Sequence, residues 1–166
     1  SGWLARRLKR PRLRADDAYT YGLFRDCGIV ILLRRFPEYK MTLHRTNNEA
    51  VLSFTALEQR ELPTDHAVIG CLLAQSWWLP DEICQAIRHH HELASIATAD
   101  SGVPLASRYL IAIGQTAEHL LQQVSGASHT AEWPKLGAAC LRLLDLKDEN
   151  LPELYEEATV LLRTLD

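Results

Sequence analysis

The chain lacks any apolar run near the roughly 20 residues a membrane-spanning helix needs, so no membrane partner is expected. No apolar segment follows the basic N-terminus, so no secretory signal is expected either. No glycine-rich phosphate loop is present. Ser53, Ser76, Ser95 and Ser101 all lack nucleophile-elbow context, which argues against a serine hydrolase. The four cysteines, Cys27, Cys71, Cys84 and Cys140, contain no CxxC pair. A sulfur-based zinc site is therefore not expected, and the thiols read as buried and free in a reduced, cytoplasmic protein. Neither charge dominates: 18 Lys and Arg face 21 Asp and Glu, a net −3. A nucleic-acid binder would show a basic excess. The local exception is Arg6, Arg7, Lys9, Arg10, Arg12 and Arg14, read as a solvated helix face in preference to a phosphate-binding patch.

Period-two alternation is nowhere sustained, and no internal repeat or domain boundary is visible. Helical periodicity prevails, so the class is all-α, and short loops predict a compact multi-helix bundle. The spacing predicts helices over about 3–10, 17–27, 29–35, 48–60, 63–78, 80–94, 105–124, 136–144 and 151–165. Asp16 or Asp17 is the expected cap of the second helix and Asn47 that of the fourth. Gly28 is expected in a left-handed position after the second helix. His44 to Asn48, residues 95–104 and residues 127–134 are expected as loops. Leu151, Leu154, Ala158, Leu161 and Leu165 form the stripe of the last helix.

The stretch AIRHHHE, residues 86–92, carries three consecutive histidines. Ile83, Ile87 and His90 follow i, i+4, i+7, which turns His90 to the apolar face and His91 to its edge. His89 is expected to point away. His66, Ile69, Leu73 and Trp77 share a face of the preceding helix, as do Tyr19, Gly22, Leu23 and Asp26 of the second. Three helices thus turn Asp26, His66, His90 and His91 inward, where each needs a partner. Two readings follow: a hydrogen-bonded polar core, or a His/Asp site for a divalent metal. Trp77 and Trp78 are expected as core and rim, and His119 and His129 as lone residues, exposed or locally bonded.

Tyr21-Gly22-Leu23-Phe24-Arg25-Asp26-Cys27-Gly28 resembles the GLLHDIG stretch of the HD superfamily of metal-dependent phosphohydrolases. Glu58, Asp65-His66-Ala67-Val68-Ile69-Gly70, Trp77-Trp78-Leu79-Pro80, Ala86-Ile87 and His90-His91 resemble one branch, the HDOD domain. The resemblance covers about residues 16–94 and implies an HD-like bundle. It also implies a bacterial signal-transduction output or scaffold module without established catalysis. Its implied partners are signalling proteins or fused receiver, GGDEF or EAL-type domains, with homo-oligomerisation a further option. HD enzymes draw metal ligands from an upstream His, a His-Asp pair and a later Asp. Here no histidine precedes His44, Arg25 stands in the histidine position of the pair, and no aspartate lies between Leu105 and Gly126. Asp26 alone remains, while His66 and His90 or His91 resemble additional histidines of HD-GYP enzymes. No confident catalytic or metal residue follows, and no cofactor is expected. The alternative is a divergent HD-type phosphohydrolase acting on a nucleotide or cyclic dinucleotide with a divalent metal at Asp26, His66 and His90. The family usually carries a further helical part ahead of the segment resembling Trp3 to Arg14. The expectation is one HDOD-like domain over 1–166 without that part.

Overall fold

Prolines, polar caps and two left-handed glycines divide the chain into helices. The computed structural model describes residues 1–126 and 130–164. The helices are α1 (Gly2–Leu8), α2 (Ala15–Phe24), α3 (Cys27–Arg35), α4 (Tyr39–Asn48), α5 (Phe54–Glu61) and α6 (His66–Ser76). They continue as α7 (Asp81–His89), α8 (Leu93–Ala97), α9 (Leu105–Ser125), α10 (Trp133–Leu143) and α11 (Leu151–Arg163), with a 3-10 turn at Asp148–Asn150 before the last. No strand occurs among the described residues. The architecture is the expected all-α multi-helix bundle.

α9 is the central strut. Leu110, Ile111, Ala112, Ile113 and Leu120 are buried on it, and α7, α10, α11 and α2 pack around it. It ends where predicted, with Gly126 at φ 61° closing its last turn. α3 packs on α6, and α6 on α7. The basic α1 is docked: Arg7 pairs with Glu153 at 3.0 Å and Glu157 at 3.1 Å on α11, and Arg10 donates to the Leu144 carbonyl. None of the four cysteines forms a disulfide.

Several local expectations are corrected. Gly28 is not a left-handed cap but a buried residue within α3. A Cβ there would stand 2.0 Å from the His66 carbonyl oxygen and 2.8 Å from the Gly70 nitrogen, so its lack of side chain lets α3 touch the α6 backbone. Arg14, not Asp16 or Asp17, stands at the N-cap position of α2 and makes no side-chain capping bond; both acids sit in its first turn, where they favour the positive helix end. His44 to Asn48 belongs to α4, because tertiary bonds support this polar helix: Thr42 and Arg45 donate to Glu61 on α5 at 2.5 and 3.0 Å. Asn47 therefore caps nothing; Ser53 caps α5, accepting from the Ala56 amide at 3.2 Å. α6 starts at His66, three residues beyond Pro63, with the Asp65 carboxylate accepting from the Val68 amide at 2.8 Å. The helix expected over 80–94 stops at His89, and α8 falls partly in the expected loop. α10 begins at Trp133. Leu165 and His129 lie outside the described residues.

Candidate functional site

The α2 face expected to carry Asp26 is the wrong one: Tyr19 and Leu23 are exposed, while Ala18, Tyr21 and Arg25 are buried. Asp26 reaches the interior because α2 ends at Phe24, and a turn hands Asp26 to the head of α3. On α6 the buried face is His66, Ala67, Gly70, Cys71 and Ala74; Trp77 is 52% and Trp78 93% exposed, not core. His66 is the first residue of α6. The end of α7 at His89 turns both His90 and His91 inward, at 0% and 4% exposure. His89 points away as expected, bonding Glu92 at 2.9 Å. His119 lies apart from the cluster and stacks on Trp133 at 4.1 Å.

The structure brings Asp26, His66, His90 and His91 together, one ligand-type atom from each lying within 4.8 Å of all the others. His66 Nε2 is 3.3 Å from His90 Nε2 and 3.2 Å from His91 Nε2. Asp26 Oδ1 stands 3.3 Å from His90 Nε2 and 3.8 Å from His66 Nε2. Phe54 closes one side, stacked on His91 at 4.7 Å and edge-on to His66 at 5.1 Å. The Asp26 side chain remains 46% exposed, so the cluster has one wet flank.

Each ring is oriented from behind. His66 Nδ1 contacts Glu58 Oε2 at 2.7 Å, and the same oxygen accepts the His66 backbone N–H at 3.1 Å. Tyr39 donates its hydroxyl to the other oxygen of Glu58. His90 Nδ1 donates to the Ile87 carbonyl at 2.7 Å, and Gln115 donates to the His90 carbonyl at 3.3 Å. His91 Nδ1 meets Glu132 Oε2 at 2.6 Å. Lys135 pairs with the other Glu132 oxygen and donates to the carbonyls of Glu49 and Leu52, both at 3.0 Å.

Burial holds His90 below the ordinary imidazole range and His91 well below it, with nearby cations, Arg25 among them, adding to the effect. Burial alone would raise Asp26, but the Arg25 guanidinium, and then His90, keep it well below the usual carboxylate range. Burial pushes Glu132 upward, against the pull of Lys135. Arg25, also buried, spans Asp26 Oδ2 at 3.2 Å and Glu118 Oε2 at 3.1 Å. It therefore pairs with the outer oxygen of Asp26 and leaves Oδ1 turned to the histidines.

Sequence reasoning missed Glu132, Lys135, Gln115, Glu118 and Tyr39. Glu132 sits in an expected loop 41 residues from His91, and nothing local marks it. Glu58 was visible only through the resemblance.

An all-α bundle with a buried histidine–carboxylate centre behind an Arg-Asp pair defines the class. The HDOD domain model matches residues 1–93, and the chain belongs to the HDOD family. The match contains Asp26, Glu58 and the three clustered histidines; Gln115, Glu118, Glu132 and Lys135 lie beyond it. A protein of Treponema pallidum (strain Nichols), described as an uncharacterized protein, is 34% identical over 77 residues. The aligned part is 46% of this chain and 15% of that protein's length. No solved structure matches the chain significantly.

Proposed function

We propose that this chain is a non-catalytic output or scaffold module of bacterial cytosolic signalling, acting through a signalling protein or a fused regulatory domain. The observation that carries this reading is the placement of Arg25. In the HD enzymes that the segment resembles, this position supplies a metal-binding imidazole. A guanidinium offers no lone pair to a metal and stays protonated at any physiological pH. Here it is buried and fixed between Asp26 and Glu118. Hydrolysis by paired metals needs two cations roughly 3.5–4 Å apart around bridging ligands. Arg25 puts a permanent charge on the outer oxygen of Asp26, where a bridged second cation would bind, and it cannot activate water.

Exposed aromatic residues support a partner-binding role. Trp77 and Trp78 are largely exposed, and Trp77 packs edge-on against Phe24 at 5.3 Å, next to exposed Leu23. Exposed aromatic residues of this kind are common interface anchors.

The second reading, a divergent HD-type phosphohydrolase for a nucleotide or cyclic dinucleotide, is favoured by the convergence of Asp26 with three histidines. Assays of phosphate release from a panel of both substrate types, with Mn²⁺, Fe²⁺ or Mg²⁺, separate the two. The module reading expects no release above the blank. Release that disappears in Asp26→Ala would establish the enzyme instead.

A further inference from the structure

We infer that the outer face of α3 and α6 is the interface of a two-fold dimer, its occupant a second copy of this chain. The inference rests on the module reading, because it names the partner of the exposed tryptophan surface.

The apolar exposure is concentrated here. Leu23 at the end of α2, Val30 and Leu33 on α3 and Leu72 on α6 are all exposed. The edge contact of Phe24 with Trp77 joins the end of α2 to the end of α6, and α3 packs along α6. Val30, Leu33 and Arg34 follow i, i+3, i+4, so they share the face of α3 turned away from buried Gly28 and Leu32. Trp78 is the extreme case. It is 93% exposed and left-handed, with φ 59°, at the position after α6 where glycine is usual. A bulky residue at positive φ is a conformational outlier. Trp78 thus gives the single chain neither burial nor backbone ease. Two tryptophans exposed to this degree present on the order of 300 Å² of ring surface. With Leu23, Val30, Leu33 and Leu72 the face exceeds the few hundred Å² that a monomer ordinarily leaves apolar.

Charge selects the occupant. α3 runs against α6: the Cys27 thiol donates to the Gly70 carbonyl at 3.8 Å, while Leu32 clusters with Leu62, ahead of α6. The face therefore has two ends. Arg34 and Arg35 close α3 beside the head of α6. Asp81 and Glu82 open α7, just past Trp78 at the tail of α6. All four are exposed, and none forms an ion pair among the described residues. α6 has 11 residues and is about 16 Å long, beyond the roughly 8 Å over which salt screens surface charges. The two ends therefore do not neutralise each other within one copy. A two-fold axis through the apolar strip reverses one copy on the other, so the basic end of each meets the acidic end of its partner, and each pairing occurs twice. An unrelated partner would need the same charges in reverse order; this chain already carries them.

The test measures the solution mass of the full chain by light scattering as concentration rises from about 1 to 100 µM, the range of a modest interface. The assignment predicts a rise from the mass of one chain to that of two. Trp78→Gly removes both the anchor and the left-handed strain; it should weaken association by about 30-fold or more, with the helical circular dichroism retained. Arg34→Glu with Arg35→Glu should leave a monomer, and so should Asp81→Lys with Glu82→Lys. Mixed together, the two charge-reversed chains should pair again, because both ends are then complementary. The mass of one chain at every concentration, a dimer indifferent to Trp78→Gly, or reversed chains that do not restore one another would each overturn the assignment. If a variant fails to fold, hydrogen exchange of the unaltered chain decides: amides of α3 and of the α6–α7 turn should slow as concentration rises, and slowing confined to other helices would place the contact elsewhere. Mass and phosphate release are separate readouts, so a monomer removes this assignment alone, and turnover removes the module reading.

Discussion

Replacing Gly28 with alanine tests the contact that places Asp26 beside His66. The added Cβ would sit 2.0 Å from the His66 carbonyl oxygen, 2.9 Å from its carbon and 2.8 Å from the Gly70 nitrogen. All three are backbone atoms of α6, so no side chain can swing aside. Reaching even a 3.0 Å contact requires α3 and α6 to separate by about 1 Å at that point. Overpacking of this kind costs about 3 kcal/mol, against a gain of about 1 kcal/mol in helix propensity from losing a glycine. A net loss of about 2 kcal/mol lowers the melting temperature of a chain this size by roughly 4–8 °C. Thermal unfolding followed by circular dichroism measures it. The same separation lengthens the 3.8 Å approach of Asp26 to His66. An unchanged or higher melting temperature would refute the close α3–α6 contact.

Three further outcomes are expected. Tyr39→Phe strips a hydroxyl from the buried Glu58 and should cost about 1–3 kcal/mol in chemical denaturation. Glu118→Gln removes one of the two carboxylates on buried Arg25; the loss should be about 1–3 kcal/mol, the partial exposure of Glu118 keeping it below the cost of a fully buried pair. Without metal, acid should destabilise the fold. His90 and His91 are held below the ordinary 6.5 by burial, so the unfolded chain takes up protons that the native rings refuse. Their contribution is complete above about pH 6.5 and is lost as pH falls below it. Glu132, pushed upward by burial, works in the opposite direction but is one group against two. Denaturation midpoints measured with chelator between pH 7.5 and 5 should therefore decline; a flat profile would contradict the buried, neutral rings.

Much of the fold was legible because long helices repeat their apolar residues: α9 and its Gly126 terminus are where the pattern put them. The inward histidines were legible by the same period. Phase failed wherever a helix broke early. Extending α2 through Asp26 put Tyr19 and Leu23 inside, whereas the turn after Phe24 resets the register and buries Tyr21 and Arg25. α4 was invisible because its stability comes from Glu61 across the α4–α5 contact, not from its own sequence. The supports of the site escaped for a related reason. Glu132 and Lys135 act on segments distant in the chain that meet only after α10 packs on α8 and α9, and a lone glutamate in a polar stretch carries no pattern. Arg25 was legible as a cation beside Asp26; its second partner, Glu118, was not.

The most direct test of the account measures bound metal and phosphate release on one sample. The chain is loaded with Zn²⁺ or Mn²⁺ and assayed for metal content and for turnover of nucleotides and cyclic dinucleotides. The account predicts no phosphate above the blank and no stoichiometric, tightly held ion. Metal-dependent release that is lost in Asp26→Ala would contradict it.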